Sequence, residues 1–397
     1  MRDGLVTLRH ELHADPEIGL ELPRTRQKVL DALDGLPLEI RQGSSCTSVT
    51  AVLRGTHSDD DAPVVLLRAD MDALPVHEEI DVAYRSRTDG VMHACGHDLH
   101  TAMLVGAARL LADRRDELAG DVVLMFQPGE ENFDGARHMI DEGVLDAAGR
   151  PVTAAYGLHV FSADLEPGEF ATRPGTLMSA TDEVHVTITG RGGHGSMPHL
   201  AADPVPAVAE LVTALQTMVT RRFDVFDPVV LTVGSLHAGT KANVVPETAR
   251  LEATLRTFSA ATRDRCLALV DELARGIATA HGVRADVEVV TLYPVTENDP
   301  DEAALLAATV ATEFGPDRFR HLANPLACSE DFSKVLQHVP GCFAALGARP
   351  AALPAEAASY NHSAHAQFSD DVLPDGAALL AALALRRSTG RPDRART

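Results

Sequence analysis

The chain has 397 residues, of which 45% are hydrophobic, and 57 acidic against 35 basic side chains give it a formal net charge of -22. This length exceeds what one ordinary hydrophobic core fills, so two domains are expected. The negative charge argues against nucleic acid or an anionic membrane as a partner, because like charges repel.

The five cysteines form an odd and widely spaced set, at positions 46, 95, 266, 328 and 342. That spacing matches no disulfide framework, so a reducing compartment is expected. The charged, amphipathic first residues differ from a signal peptide. No apolar run approaches the roughly 20 residues needed to span a bilayer. These features predict a soluble, cytoplasmic protein without a membrane partner.

Helical and strand patterns alternate through the first 177 residues. The helices are expected over 4–14, 25–33, 101–118 and 135–142, and the strands over 49–54, 64–68, 121–127 and 154–160. An acidic turn at 58–61 predicts that the first two of these strands form a hairpin. Short apolar strands that alternate with longer helices predict a largely parallel, layered α/β sheet.

Polar side chains accompany three of these strands at their carboxyl ends, where the functional site of such a sheet lies. They are Asp70 and Asp72, Glu130 and Glu131, and His159. We therefore expect them to meet at one edge of the sheet. For Asp70, a cap on the turn that follows the strand is an equal alternative.

Histidine and cysteine concentrate at 93–100 (HACGHDLH), directly before the helix expected at 101. Cys95 and His97 flank a glycine, so both can face one metal ion from a turn. His362, near the C-terminus, adds another imidazole. Together with the paired glutamates and His159, these side chains indicate a dinuclear metal hydrolase.

The pattern changes near residue 178 to strands that alternate with period two, which is typical of a sheet with one wet face. The strands are expected over 182–190, 229–236, 250–258 and 286–292, and the helices over 204–220 and 262–281. A glycine-rich turn at 190–195 carries His194. These elements predict a small α+β open-sheet domain over 178–290, with its helices on one face.

The earlier helix and strand pattern resumes after residue 290. Helices are expected over 302–314 and 371–386, a further helix start at 329, and a strand over 342–347. The sequence therefore predicts one catalytic domain built from 1–177 and 291–397. The domain over 178–290 would be inserted into it as a lid or dimerisation domain.

Eight short motifs follow one another along nearly the whole chain. They are 12–17 (LHADPE), 68–75 (RADMDALP), 92–98 (MHACGHD), 127–131 (QPGEE), 157–159 (GLH), 192–195 (GGHG), 243–246 (NVVP) and 329–332 (SEDF). This series resembles the dinuclear-metal amidohydrolases of the aminoacylase and carboxypeptidase superfamily. The branch it resembles holds the hippurate hydrolases, the N-acyl-amino acid amidohydrolases and the auxin-conjugate (indoleacetyl-amino acid) hydrolases.

The resemblance implies metal-dependent hydrolysis of the amide bond of small N-acyl amino acids, whether hippurate-like, N-acetyl or indoleacetyl, by a water that bridges two divalent ions. The Cys95 thiolate would join both ions. His97 and His159 would complete the shell of one ion, and Glu131 and His362 that of the other. These ligands favour zinc, nickel or cobalt, and enzymes of this branch also use manganese.

Further roles follow from the same resemblance. Glu130 would be the general base, and Asp72 would accept a hydrogen bond from a ligand histidine. His194 would reach the active site of a partner subunit and stabilise the oxyanion, so that the inserted domain would also form a homodimer. Asn243 and Arg256 would hold the substrate carboxylate.

Other functions stay open on the residues alone. Cys95 and His97 could be a nucleophile and its base, although the paired glutamates would then have no task. Cys95 could belong to a structural zinc site, although such sites are usually closed sets rich in cysteine. A dipeptidase or a carbamoyl-amino acid hydrolase could use the same site, and a protein of this fold could bind a metal or small molecule without catalysis.

Overall fold

A computed structural model of the chain describes residues 1–57 and 61–389. The strands of these residues are, in chain order, β1 Leu38–Gln42, β2 Val49–Leu53, β3 Val64–Asp70, β4 Asp121–Gln127, β5 Ala154–Phe161, β6 Phe170–Thr172, β7 Gly175–Met178, β8 Ala180–Thr189, β9 Gly193–His194, β10 Val229–Ala238, β11 Val244–Val245, β12 Thr248–Thr257, β13 Arg284–Tyr293, β14 Thr296–Asn298, β15 Phe319–His321 and β16 Gly341–Gly347. The α-helices are α1 Arg2–His13, α2 Pro23–Leu33, α3 His97–Asp113, α4 Gly135–Asp141, α5 Pro204–Arg222, α6 Ala260–Ala280, α7 Pro300–Glu313, α8 Ser333–Leu336 and α9 Leu373–Thr389.

The chain divides into two units. Unit 1 comprises the described residues of Met1–Leu177, Glu297–Asn324 and Asp331–Thr397. Unit 2 comprises Met178–Thr296 and Pro325–Glu330. Within the described part of the chain, no helix combines the length and the apolarity needed to span a lipid bilayer.

Unit 1 contains a mixed sheet of eight strands in the order β1-β2-β4-β3-β5-β16-β6-β15. The neighbours β4, β3, β5 and β16 run parallel. Every residue of β3, β4 and β16 is buried, as expected of parallel strands that are covered on both faces. The predicted α/β fold class with a layered sheet is confirmed.

The predicted hairpin between the strands at 49–54 and 64–68 is wrong. β2 pairs antiparallel with β1 and β4, and β4 lies between β2 and β3. The wholly buried β3 has a parallel partner on each side, β4 and β5, as is typical of a strand inside a parallel sheet. Residues 58–60 of the predicted acidic turn lie outside the described residues.

Helix α3 begins at His97, four residues before the predicted start. The residue before it, Gly96, has φ +88°, a left-handed conformation that glycine adopts without a steric cost. The helix packs against α1, α9 and β3. At Gly106 a Cβ atom would lie 2.7 Å from the Cβ of Ala377, so glycine permits the close approach to α9. This packing fixes His97 at the buried start of the helix.

The helix start predicted at 329 also differs from the structure. Helix α8 begins at Ser333, and Asp331 is fully buried before it, 3.0 Å from Arg68. Because the Asp331 carboxylate pairs with Arg68 in the core, it does not act as an acidic residue in the first turn of a helix.

Unit 2 contains a four-stranded antiparallel sheet in the order β10-β12-β8-β13. Alternate residues of β12 are buried, and α5 and α6 pack against each other and against the sheet. The side chains of Asp203 and Ser259 cap the two helices by accepting backbone N–H groups, which stabilises each N-terminus. The predicted small α+β open sheet is confirmed.

Candidate metal centre

The five predicted metal ligands come together in unit 1, at the carboxyl ends of its parallel strands. Cys95 lies in the turn before α3, and His97 is the first residue of that helix. Glu131 follows β4, His159 lies in β5, and His362 lies in the loop after β16. Four separate stretches of the sequence therefore contribute to one cluster.

Cys95 belongs to two groups of possible ligands. Its Sγ lies 3.4 Å from His159 Nε2 and 3.2 Å from His362 Nε2. One group is Cys95, His97 and His159, and the other is Cys95, Glu131 and His362, with the ligand atoms of each group within 4.8 Å of one another. The Oε1 atom of Glu131 lies 3.2 Å from His362 Nε2. The arrangement suits two cations that share one sulfur ligand.

Buried polar atoms in this cluster lack ordinary partners. Both ring nitrogens of His97 are buried without a hydrogen bond in the described residues. The closest carboxylates to His97 lie 3.5 Å away at Asp72 and 3.6 Å away at Asp70. Buried polar groups are normally satisfied, and a metal ion would satisfy these atoms. The residues present therefore fit a metal centre.

The electrostatic field of the cluster favours positive charge. Hydrogen bonds with Cys95 and Glu131 raise the pKa of His362 to about 10. Burial lowers the pKa of His97, but Asp70, Cys95 and Asp72 together outweigh burial and raise this pKa well above its ordinary value. Burial raises the pKa of the Cys95 thiol and lowers that of His159. A field that holds protons on two histidines also attracts cations, which compete with those protons.

Glu130 is buried beside these ligands. One of its carboxylate oxygens lies within 4.8 Å of a His97 ring nitrogen and a Glu131 carboxylate oxygen. The carboxylate of Asp72 accepts the backbone N–H groups of both glutamates, each at 3.0 Å. The sequence-based expectation for Asp72 was a hydrogen bond from a ligand histidine. The Oδ1 atom of Asp72 also lies 3.5 Å from His97 Nδ1, and its two backbone hydrogen bonds fix the turn that carries Glu130 and Glu131.

Sequence reasoning missed a buried network behind the ligands. His100 Nδ1 lies 2.6 Å from Asp70 Oδ1, and His100 Nε2 accepts the backbone N–H of Val160 at 2.8 Å. The second Asp70 oxygen lies 2.7 Å from Arg68, which also pairs with Asp331. His97 and His100 are three residues apart and lie on one face of α3, and the sequence predicts His100 as a packing residue or a partner of a metal ligand. No local signal identifies Asp331, which is 263 residues from Arg68.

The other three predicted site residues lie in unit 2. His194 is exposed on β9 and pairs with Val244 on β11, and Gly195 donates its N–H to the carbonyl of Asn243 at 2.9 Å. His194 and Asn243 therefore lie on adjoining backbone segments. Arg256 lies on β12, where it donates to Thr181 Oγ1 at 3.0 Å and to the Ala327 carbonyl at 3.1 Å.

Residues 66–386 match the model of a protein family described as peptidase family M20/M25/M40. Thermostable carboxypeptidase 2 of Saccharolobus solfataricus is 34% identical over 396 residues, which is 98% of this chain and 96% of that protein. IAA-amino acid hydrolase ILR1-like 2 of Arabidopsis thaliana is 35% identical over 390 residues, 97% of this chain and 85% of that protein.

A solved structure shares the fold. The YXEP protein of Bacillus subtilis, described as a dinuclear metal binding peptidase from the M20 family, superposes with a TM-score of 0.84 and 29% identity. The match covers 98% of this chain and 99% of the other. The family resemblance seen in the eight motifs is thereby confirmed.

Proposed function

Because this chain belongs to peptidase family M20/M25/M40 and is a metal-dependent amidohydrolase or peptidase, we propose that it hydrolyses the amide bond of N-acyl amino acids. The observation that carries this proposal is the pair of ligand groups that share Cys95, with Glu130 buried beside them. The relative described as an IAA-amino acid hydrolase adds support for an acylated amino acid as substrate.

The proposed ligands are Cys95, His97 and His159 for one divalent ion, and Cys95, Glu131 and His362 for a second, with zinc, manganese, nickel and cobalt as the candidate metals. When bound, two such ions polarise the amide carbonyl and make water more acidic.

Glu130 is proposed as the general base. Its carboxylate takes a proton from the attacking water and delivers it to the leaving amine nitrogen as the amide bond breaks. The task of Asp72 is to hold the backbone of Glu130 in place, because its carboxylate accepts the N–H of that residue and of the next one. A fixed base keeps its carboxylate within reach of the reacting water.

Unit 2 is proposed as a lid that also forms the interface of a homodimer. In this arrangement His194 stabilises the oxyanion in the active site of the partner subunit, and Asn243 and Arg256 bind the substrate carboxylate. The exposure of His194 on a short strand is compatible with a contact beyond its own unit. The glycines next to it leave its backbone accessible to close approach.

A second candidate is cleavage of peptides, which the carboxypeptidase relative favours. Both reactions break an amide next to a carboxylate, so the same site can serve either substrate. The two kinds of substrate differ on the acyl side of the amide. A dipeptide carries a charged amine there, whereas an N-acyl amino acid carries an apolar or aromatic group.

The test is hydrolysis of a substrate panel by chelated and by metal-reconstituted protein. The panel holds hippurate, N-acetyl amino acids, an indoleacetyl-amino acid, dipeptides and a carbamoyl-amino acid, and reconstitution uses manganese, zinc, cobalt or nickel. We expect cleavage of N-acyl amino acids that the chelator abolishes and metal restores. Preferred cleavage of dipeptides would select the second candidate, and activity that resists chelation would return Cys95 to the role of a nucleophile.

A further inference from the structure

Asn361 lies directly before His362 and joins separate segments of unit 1 through both ends of its side-chain amide. Its Nδ2 donates to the carbonyl of Val160 at 2.9 Å and to the carbonyl of Cys95 at 3.2 Å. Its Oδ1 accepts the N–H and the hydroxyl of Ser162, both at 2.9 Å. One side chain thus connects the His362 loop, the Cys95 turn and the end of β5.

The carbonyl of Val160 also determines how His159 is presented. It lies 2.8 Å from His159 Nδ1, and because a carbonyl oxygen can only accept, Nδ1 carries the hydrogen. The Nε2 lone pair of His159 is then free on the side of Cys95 Sγ, 3.4 Å away. Asn361 donates to the same carbonyl of Val160. It therefore fixes the position of the acceptor that sets the tautomer of His159.

The segment after Asn361 is fixed to the Cys95 turn at a second point. His362 has φ +73°, an uncommon value for a residue with a side chain. Its N–H donates to the carbonyl of Ala94 at 2.8 Å. This hydrogen bond and the one from Asn361 to Cys95 hold neighbouring carbonyls of the same turn. The backbone of 361–362 therefore sets the position of His362 relative to Cys95.

We propose that Asn361 is a positioning residue that sets the relative positions of Cys95, His159 and His362 and so determines the metal affinity of the centre. This inference rests on the proposed function. This role requires a side chain with two donor hydrogens that point at two carbonyls, and the side chains of alanine and leucine have no hydrogen-bond donor. Removal of a residue that positions metal ligands through hydrogen bonds typically weakens metal affinity by about 10- to 100-fold.

The experiment compares cobalt binding by the full-length wild type and two variants. Asn361→Ala removes the connection. Asn298→Ala is the matched control, because Asn298 is a buried asparagine of unit 1 that donates to the carbonyls of Arg173 and Phe343 and accepts the N–H of Phe343. Cobalt affinity is measured by calorimetry, the cysteine–cobalt absorption is recorded per bound ion, and thermal unfolding of the metal-free proteins reports loss of stability alone.

We expect Asn361→Ala to bind cobalt about 10- to 100-fold more weakly and to show an altered cysteine–cobalt band. Asn298→Ala should bind cobalt as the wild type does, whatever stability it loses. Wild-type affinity and an unchanged band in Asn361→Ala would overturn the positioning role while leaving the proposed function intact. An equal loss of cobalt affinity in both variants would overturn the proposal, because it would show that Asn361 has only a structural role. A wild type that binds no cobalt, zinc, manganese or nickel would overturn both proposals.

Discussion

Glu130 and Glu131 are adjacent in the chain, yet their surroundings assign them different chemistry. Glu131 lies against His362. Burial raises the pKa of Glu131, but His362, His97 and Cys95 together outweigh burial and lower this pKa. It is thus held as an anion, which is the form of a metal ligand. Glu130 lies beside the ligand cluster without contributing to the two groups that share Cys95.

We predict that Glu130→Gln will keep its fold and its metal but lose turnover by about 10²- to 10⁴-fold, the usual contribution of a general base. Glutamine has nearly the same shape and cannot take up a proton. The measurement is kcat together with metal content for each protein. Glu117→Gln, at an exposed site, is the control and should keep wild-type turnover. An unchanged kcat in metal-replete Glu130→Gln would remove Glu130 from the mechanism.

His13 provides a pH dependence of stability away from the ligands. Burial lowers its pKa, but Asp98 and Glu78 outweigh burial and raise it above 6.5. The folded state therefore binds the proton more tightly than the unfolded chain. The stabilisation is fully present below the unfolded pKa of about 6.5 and is lost as pH rises through the folded value.

We expect the difference in the free energy of unfolding between wild type and His13→Gln to shrink as pH rises above about 6.5. Urea denaturation of the metal-free proteins at several pH values measures it. His57→Gln, at an exposed histidine, is the control and should keep the wild-type pH dependence. A difference that grows with pH would show that His13 is neutral in the folded protein.

At the scale of elements, the glycine before α3 decides the geometry of the Cys95 turn. Gly96 has φ +88°, and a Cβ there would lie 2.4 Å from Val160 Cγ2. Gly90 has φ +73° in the same region, with no atom within 4 Å of such a Cβ. The two positions separate the cost of a left-handed residue from the cost of a steric clash.

Gly96→Ala should therefore lose more stability than Gly90→Ala, for which about 1 kcal/mol is expected from the backbone alone. Gly96→Ala should also lose metal, because the clash displaces Cys95 and His97. Chemical denaturation and metal content measure the two effects. Equal losses of stability with full metal content in both variants would show that the turn adapts to a side chain.

Elements with strong local signals were predictable from sequence. β4 has the bounds that the apolar run before Pro128 predicted, since burial on both faces and a proline determine them locally. Strand pairing was not predictable, because the partner of β2 is set by the whole sheet. The meeting of Glu131 and His159 at one edge of the sheet followed from the fold class. Asn361 was missed, since its hydrogen bonds depend on how the His362 loop, the Cys95 turn and the end of β5 meet.

At the scale of the whole molecule, the proposed dimer makes a quantitative prediction for mixed subunits. Glu130→Gln and His194→Ala homodimers should both be nearly inactive, the second by about 10²- to 10³-fold if the imidazole stabilises an oxyanion. If His194 acts in the partner's site, random mixing should restore about a quarter of the wild-type activity, since half of the dimers then contain one complete site. Activity is measured after the subunits are unfolded together and refolded. No recovery in verified mixed dimers would mean that each subunit uses its own His194.

The order of strands in unit 1 has a consequence for synthesis on the ribosome. β16 lies between β5 and β6, although Gly341 is made long after Phe161. At about 5 to 20 residues per second, the nascent chain carries β5 without this neighbour for roughly 10 to 40 s. An unpaired strand edge invites pairing with other chains. Chaperone capture of the growing polypeptide is therefore most needed in that interval, and release before residue 341 would yield a product prone to aggregate.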